Sequence, residues 1–142
     1  MNLHASGPAT LKRFGPGEKI ALVLEILRAY AAMWRVLRLS DVLQMAARAR
    51  EVPPRGRVAD PLEHQVARRL GKVVGKTLAV LPTDSRCLIR SLVLLRVLTR
   101  RAIPGILVIG VRKQSGFEAH AWVEHDGEPI LPAGEYTRLT EV

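Results

Sequence analysis

The chain has 142 residues, 48% hydrophobic, 25% charged and 4% aromatic, with one cysteine. That size and balance suit a single globular domain with an aliphatic core and exclude a disordered chain; a lone cysteine excludes an internal disulfide. The formal charge of +9 is uneven, since residues 1–101 hold 19 Lys and Arg against 7 Asp and Glu, a net of +12, and residues 102–142 hold 3 against 6, a net of −3.

The opening MNLHASGPATLKRFG lacks periodicity and reads as a loose arm over residues 1–15, anchored at Phe14. It has no secretory-signal pattern, so with the lone cysteine the expected compartment is the cytoplasm. From Pro16, PGEKIALVLEILRAYAAMWRVLRL places Ile20, Val23, Leu24, Leu27, Ala31, Trp34 and Leu37 at helical spacing, a stripe expected to face the core. The alternative is that Trp34 and Tyr30 with flanking arginines form a docking face for a partner protein. Ser40 or Asp41 caps a shorter helix through about Ala49, and EVPPRGRVADP is a loop.

Asp60 as N-cap, Pro61 at the first position and Glu63 start another helix, with Val66, Leu70, Val73, Val74 and Leu78 as its stripe through about Val80. The apolar runs Ile20–Leu27 and Leu92–Leu95 meet charges well short of the roughly 20 residues that cross a bilayer. After LPTDS, the run DSRCLIRSLVLLRVLTRR is helical. RAIPGILVIGVRK turns at Pro104 and Gly105 into a β-branched strand from Ile106 to Val111. QSG is a turn, and FEAHAWVEHDGEPIL alternates as two strands joined at HDG. A three-residue loop there would pair Glu124 with Glu128 and set Pro132 opposite His120. The tail PAGEYTRLTEV carries no clear element signal. Helices followed by a small antiparallel sheet give the class α+β, in one domain whose helical part is residues 16–80 and whose core is residues 81–142.

Cys87 falls in the first turn of its helix, where free N–H groups and the positive dipole end favour thiolate over thiol. Arg86 and Arg90 add cationic neighbours and could attract an acidic peptide. The same N–H groups could receive an oxyanion, whereas a small buried hydrophobe is the usual role of a free cysteine on an apolar helix. A nucleophile needs a base, and His120 sits between Phe117 and Trp122 among small and apolar residues. His4, His64 and His125 have surface explanations in the arm, at a helix start and at a turn tip. One Cys and four scattered His show no metal-ligand spacing. On the helical wheel Cys87, Leu88, Leu92, Leu94, Leu95 and Leu98 form the half expected to meet the sheet. Arg86, Arg90, Arg96, Arg100 and Arg101 form the other, their stems covering Ile89, Val93 and Val97.

Three motifs stand together: C-L-x-R-S-L at Cys87, Leu88, Arg90, Ser91 and Leu92; I-G-V at Ile109 to Val111; and A-H-A-W-V-E at Ala119 to Glu124. Over residues 80–131 this resembles the transglutaminase-like cysteine peptidase of lasso-peptide biosynthesis, which removes the leader from a ribosomally made precursor. The resemblance implies a transglutaminase/papain-like arrangement with Cys87 as nucleophile and His120 as base, substrate contacts from Arg86, Arg90 and Trp122, and no cofactor. It implies a precursor peptide as substrate and a separate leader-binding protein, the RiPP recognition element, since the residues before the core offer no strands for a fused one. A separate ATP-dependent cyclase would follow.

The family places an Asp about twelve residues after the histidine, where this chain has Pro132. Glu135 is the nearest downstream acid and could reach back if the chain bends at Pro132 and Gly134; a backbone carbonyl, the Gln114 amide or water are alternatives. Two other readings remain. The thioester could pass to an amine in acyl transfer. Alternatively, the basic helical part could be a non-enzymatic module for nucleic acid or a membrane surface, which leaves AHAWVE and the placement of Cys87 unexplained and lacks a nucleic-acid-reading motif.

Overall fold

Three helices and a four-stranded antiparallel sheet make up the computed structural model, which describes residues 14–39, 60–81, 86–113 and 116–141. The helices are α1 (Pro16–Leu39), α2 (Pro61–Leu78) and α3 (Arg86–Thr99); the strands are β1 (Ile106–Arg112), β2 (Glu118–His125), β3 (Glu128–Pro129) and β4 (Thr137–Glu141). The α+β class holds. The short helix expected to end near Ala49 and most of the arm lie outside the described residues, though Phe14 packs against the core as expected.

Helix α1 starts at Pro16, with the Glu18 carboxylate accepting from the Gly15 N–H at 2.7 Å. Its rotation corrects the sequence expectation. Leu22, Ile26 and Ala29 are buried, while Ile20 is 62%, Leu24 49%, Leu27 37% and Trp34 40% exposed. Periodicity could not choose between two apolar stripes with the same spacing. A long-range ion pair accompanies the observed choice. Arg101, just past α3, grips Glu25 with both terminal nitrogens, at 2.9 and 2.8 Å, and this bonding holds the Glu25 carboxyl below its usual range.

Helix α2 begins as its sequence implies, the Asp60 side chain accepting from the Leu62 N–H at 2.9 Å ahead of Pro61. It buries Ala67, Leu70, Gly71, Val74 and Leu78. A Cβ on Gly71 would stand 3.0 Å from Ile130 and 3.2 Å from Leu131, so the chain leaving β3 packs directly on the α2 backbone.

Helix α3 is central. Ile89, Val93 and Val97 are within the core, as are Leu92, Leu94, Leu95 and Leu98. The expectation that arginine stems cover Ile89, Val93 and Val97 is therefore corrected: α1, α2 and the sheet surround a helix that is apolar on nearly every side. Arg96 and Arg100 remain exposed near its end.

The strand order is β3-β2-β1-β4. The unassigned tail supplies β4, which pairs with the far edge of β1 across a register shift at Ile109 and Gly110. Asp126 and Gly127 both take left-handed φ, 52° and 80°, the condition for a two-residue hairpin loop. The observed pairs are thus His125 with Glu128 and Glu124 with Pro129, in place of the expected pairing of Glu124 with Glu128. The tighter turn puts His125 on the core-facing side of β2. It is 1% exposed, donates from Nδ1 to the Pro104 carbonyl at 2.7 Å and stacks near His64, so the exposed-tip reading is also corrected.

Gly110 lies under the Trp122 ring, where a Cβ would come within 2.8 Å of the indole and 2.9 Å of the Thr137 carbonyl. Gly110→Ala should destabilise the chain by roughly 1–3 kcal/mol through forced repacking. Gly17→Ala, which meets nothing within 4 Å, should be neutral or slightly stabilising. Urea denaturation of the two variants checks this; equal midpoints would refute the close approach.

Candidate active site

The site is built where β3 stops. Because β3 pairs only with Glu124 and His125, no strand among the described residues covers the outer edge of β2 from Val123 backwards. Two groups take its outward carbonyls. The Ile130 N–H reaches the Val123 oxygen at 2.9 Å, and the buried Ser91 hydroxyl of α3 donates to the Ala121 oxygen at 3.0 Å. The second bond fastens α3 to β2 one residue from His120.

A small open hollow lies at this junction. Arg90, Ser91 and Leu94 of α3 form one wall, the His120–Val123 stretch another, and Leu131 and Pro132 a third. Sequence reasoning set Pro132 opposite His120 on a paired strand; β3 ends at Pro129, and Pro132 lines the hollow from the chain beyond it. Cys87 is half-buried and reduced, the second residue of α3. It is outside the lining, one turn N-terminal to Ser91 on the stripe that continues through Leu94. Arg86 opens the helix, and its side chain, like Gln114, lies outside the described residues.

The imidazole of His120 is held by rings. Tyr136 stacks on it with centroids 4.8 Å apart and planes 22° apart, and Trp122 lies 6.0 Å away at the same angle. Among the described residues His120 makes no hydrogen bond. Burial, and secondly the Arg90 cation, push its pKa below the ordinary histidine value, so the neutral, proton-accepting form prevails at neutral pH.

Each ring is itself anchored. The Trp122 indole N–H donates to Glu124 at 2.8 Å, and Arg138 of β4 donates to the other oxygen of that buried carboxylate. Trp122 is therefore largely buried, with its polar atom satisfied by the chain. The Arg112 guanidinium lies 5.0 Å from the Tyr136 ring centre and bonds Glu118. Glu135 is exposed, and its charge is felt at Arg112, whose pKa is raised first by Glu118 and more weakly by Glu135. Sequence reasoning missed Tyr136 and Glu124. The acid beside the tyrosine drew attention away from the ring, and no local pattern marks a carboxylate that clamps an indole.

Among the described residues no cluster of three or more His, Cys, Asp or Glu is arranged to hold a metal ion, and no helix is long and apolar enough to cross a membrane. Residues 27–142 match the family model described as the transglutaminase-like superfamily. Neither a curated protein nor a solved structure matches the chain.

Replacing Arg90 with Gln removes the cation facing His120, so the His120 pKa should rise toward the ordinary value. Proton NMR titration of the imidazole resonances checks both the low starting point and the direction. The linkage has the same sign: the unfolded chain protonates first, so stability should fall as pH drops through the histidine range, and less so in His120→Gln. A titration unchanged by Arg90→Gln would remove Arg90 from the hollow's electrostatics.

Proposed function

This chain belongs to the transglutaminase-like superfamily, and from that membership we propose that it is a cysteine endopeptidase that removes the leader from a lasso-peptide precursor. The superfamily's general chemistry is cysteine-dependent. The observation that carries the finer reading is the junction itself, where the Ser91 bond holds the Cys87 helix against the β2 edge beside a half-buried, neutral His120. The motifs C-L-x-R-S-L and A-H-A-W-V-E supply the two sides of that junction.

In this reading His120 takes the proton from Cys87 as the sulfur attacks the scissile carbonyl carbon. The developing oxyanion is met by N–H groups at the start of α3. The carbonyl reforms as the C–N bond breaks, and the proton passes from His120 to the leaving amine. Water then attacks the thioester, giving up a proton to His120, and the leader acid and free thiol are restored. The free amine of the core is what a separate ATP-dependent cyclase would join to an acidic side chain. A separate leader-binding RiPP recognition element would present the precursor.

Stacking takes over the orienting task that a carboxylate performs elsewhere. Tyr136 and Trp122 limit the ring's rotation, while Glu135 sits near Arg112. Glu135 is accordingly a weaker candidate for the third member than Tyr136 is for a positioning ring. Arg90, within the hollow, is the side chain placed to meet an acidic group of the peptide.

The test is to incubate the protein, a leader-binding partner and a cognate precursor, and follow cleavage by mass spectrometry. Cys87→Ala and His120→Ala should each lower the rate by roughly a thousandfold or more. Glu135→Gln should stay within several-fold of wild type. Cleavage that survives Cys87→Ala sinks the peptidase reading, and a leader joined to an amine in place of a free acid would convert it to acyl transfer.

A further inference from the structure

The outer face of α1 has no place in the chemistry above. Ile20, Leu24, Leu27 and Ala31 follow one another at intervals of four, three and four, the spacing of a coiled-coil seam. All four face solvent, Ile20 at 62% and Leu24 at 49% exposure. The helix already buries its opposite face through Leu22, Ile26 and Ala29, so the seam lies outside the core formed by the described residues. Lone exposed apolar residues are ordinary; a continuous row along a 24-residue helix marks a contact surface.

The charges beside the row say what would cover it. Along one edge stand Arg28 and Arg35, both exposed and without an ion pair among the described residues. The acids of α1 are engaged elsewhere, Glu18 at the Gly15 N–H and Glu25 with Arg101. Val23 and Tyr30, half-buried, form the other edge and lead into the core. We propose that this face is a docking seam for an amphipathic helix of a partner protein that carries carboxylates along the edge meeting Arg28 and Arg35.

A second copy of the chain fits poorly. Antiparallel pairing of two seams would bring arginine edge against arginine edge, and parallel pairing would set the arginines opposite Val23 and Tyr30, with no carboxylate in either case. A lipid surface fits poorly too, because interfacial helices carry cations along a broad polar face and here one edge is apolar and buried. Helix-in-groove recognition through apolar anchors at heptad spacing is the mode the geometry suits.

The test uses the full chain and two dye-labelled synthetic helical peptides, alike in a leucine heptad seam but flanked by Glu in one and Lys in the other. Anisotropy titration should favour the Glu peptide by on the order of tenfold at low salt, with the preference shrinking as salt rises. The double variant Leu24→Gln/Leu27→Gln should lose binding while circular dichroism stays unchanged, since both side chains are exposed. Arg28→Glu/Arg35→Glu should reverse the preference. Equal binding of both peptides, binding retained by the leucine variant, or no peptide binding overturns the proposal. So does a seam that serves only self-association or phosphatidylglycerol vesicles.

Discussion

The buried hydrogen bond from the Ser91 hydroxyl to the Ala121 carbonyl is the contact on which the site's geometry depends. It exists because β3 is two residues long and leaves that carbonyl without a strand partner. Remove the donor and a buried acceptor is stranded, at a cost of about 1–3 kcal/mol. The bond also sets register. Sliding α3 by one turn would move it about 5.4 Å along β2 and break the alignment of the Cys87 stripe with the hollow. The helix has little freedom to slide, being enclosed by α1, α2 and the sheet, so one polar contact can fix the position of an otherwise apolar element.

On the other side of β2, the position of His120 is decided by β4, a strand that pairs with β1 and not with β2. Tyr136, immediately before β4, lies on the imidazole; Arg138, within β4, grips Glu124, which holds the Trp122 indole. The bare Gly110 backbone lets Trp122 lie flat across β1 and accompany the imidazole. Rings restrict rotation without consuming either imidazole nitrogen. A base held this way keeps its lone pair available, whereas a carboxylate partner would raise its proton affinity and pull it toward the charged form.

How much of this was legible follows from which interactions are local. The Asp60 cap with Pro61, a turn signalled by Asp126 and Gly127 and the strand Glu118–His125 are written within a few residues, and each element is present, the turn with a loop one residue shorter than expected. Both faces of α1 carry apolar residues at helical spacing, so its buried side is chosen by partners distant in sequence, with Arg101 reaching Glu25. β4 has only five residues, Arg138 and Glu141 among them, and its pairing to β1 comes from tertiary contact. The hairpin register hung on one residue of loop length, decided by whether Asp126 would accept a left-handed φ. Cys87 and His120 drew notice through placement in their elements, whereas Tyr136 and Glu124 matter only through neighbours the sequence does not display.

The surplus of positive charge that dominates the composition resolves into separate environments. Arg101 is neutralised by Glu25 in a fold contact, Arg28 and Arg35 stand exposed on the outer face of α1 without an ion pair among the described residues, and Arg90 enters the hollow. Screening at physiological salt acts over about 8 Å, and burial weakens it. Burial first depresses the proton affinity of His120, and the cation that adds to it is Arg90, the one sharing its hollow. That sign matters for a thiol nucleophile. In the proposed mechanism, burial and a neighbouring cation that together keep the imidazole unprotonated would preserve the acceptor the thiol needs, and the same cation would offer a positive site to a peptide carboxylate. In the proposed mechanism one arginine of the C-L-x-R-S-L motif would act on base and substrate together, a role that the net charge of the chain does not reveal.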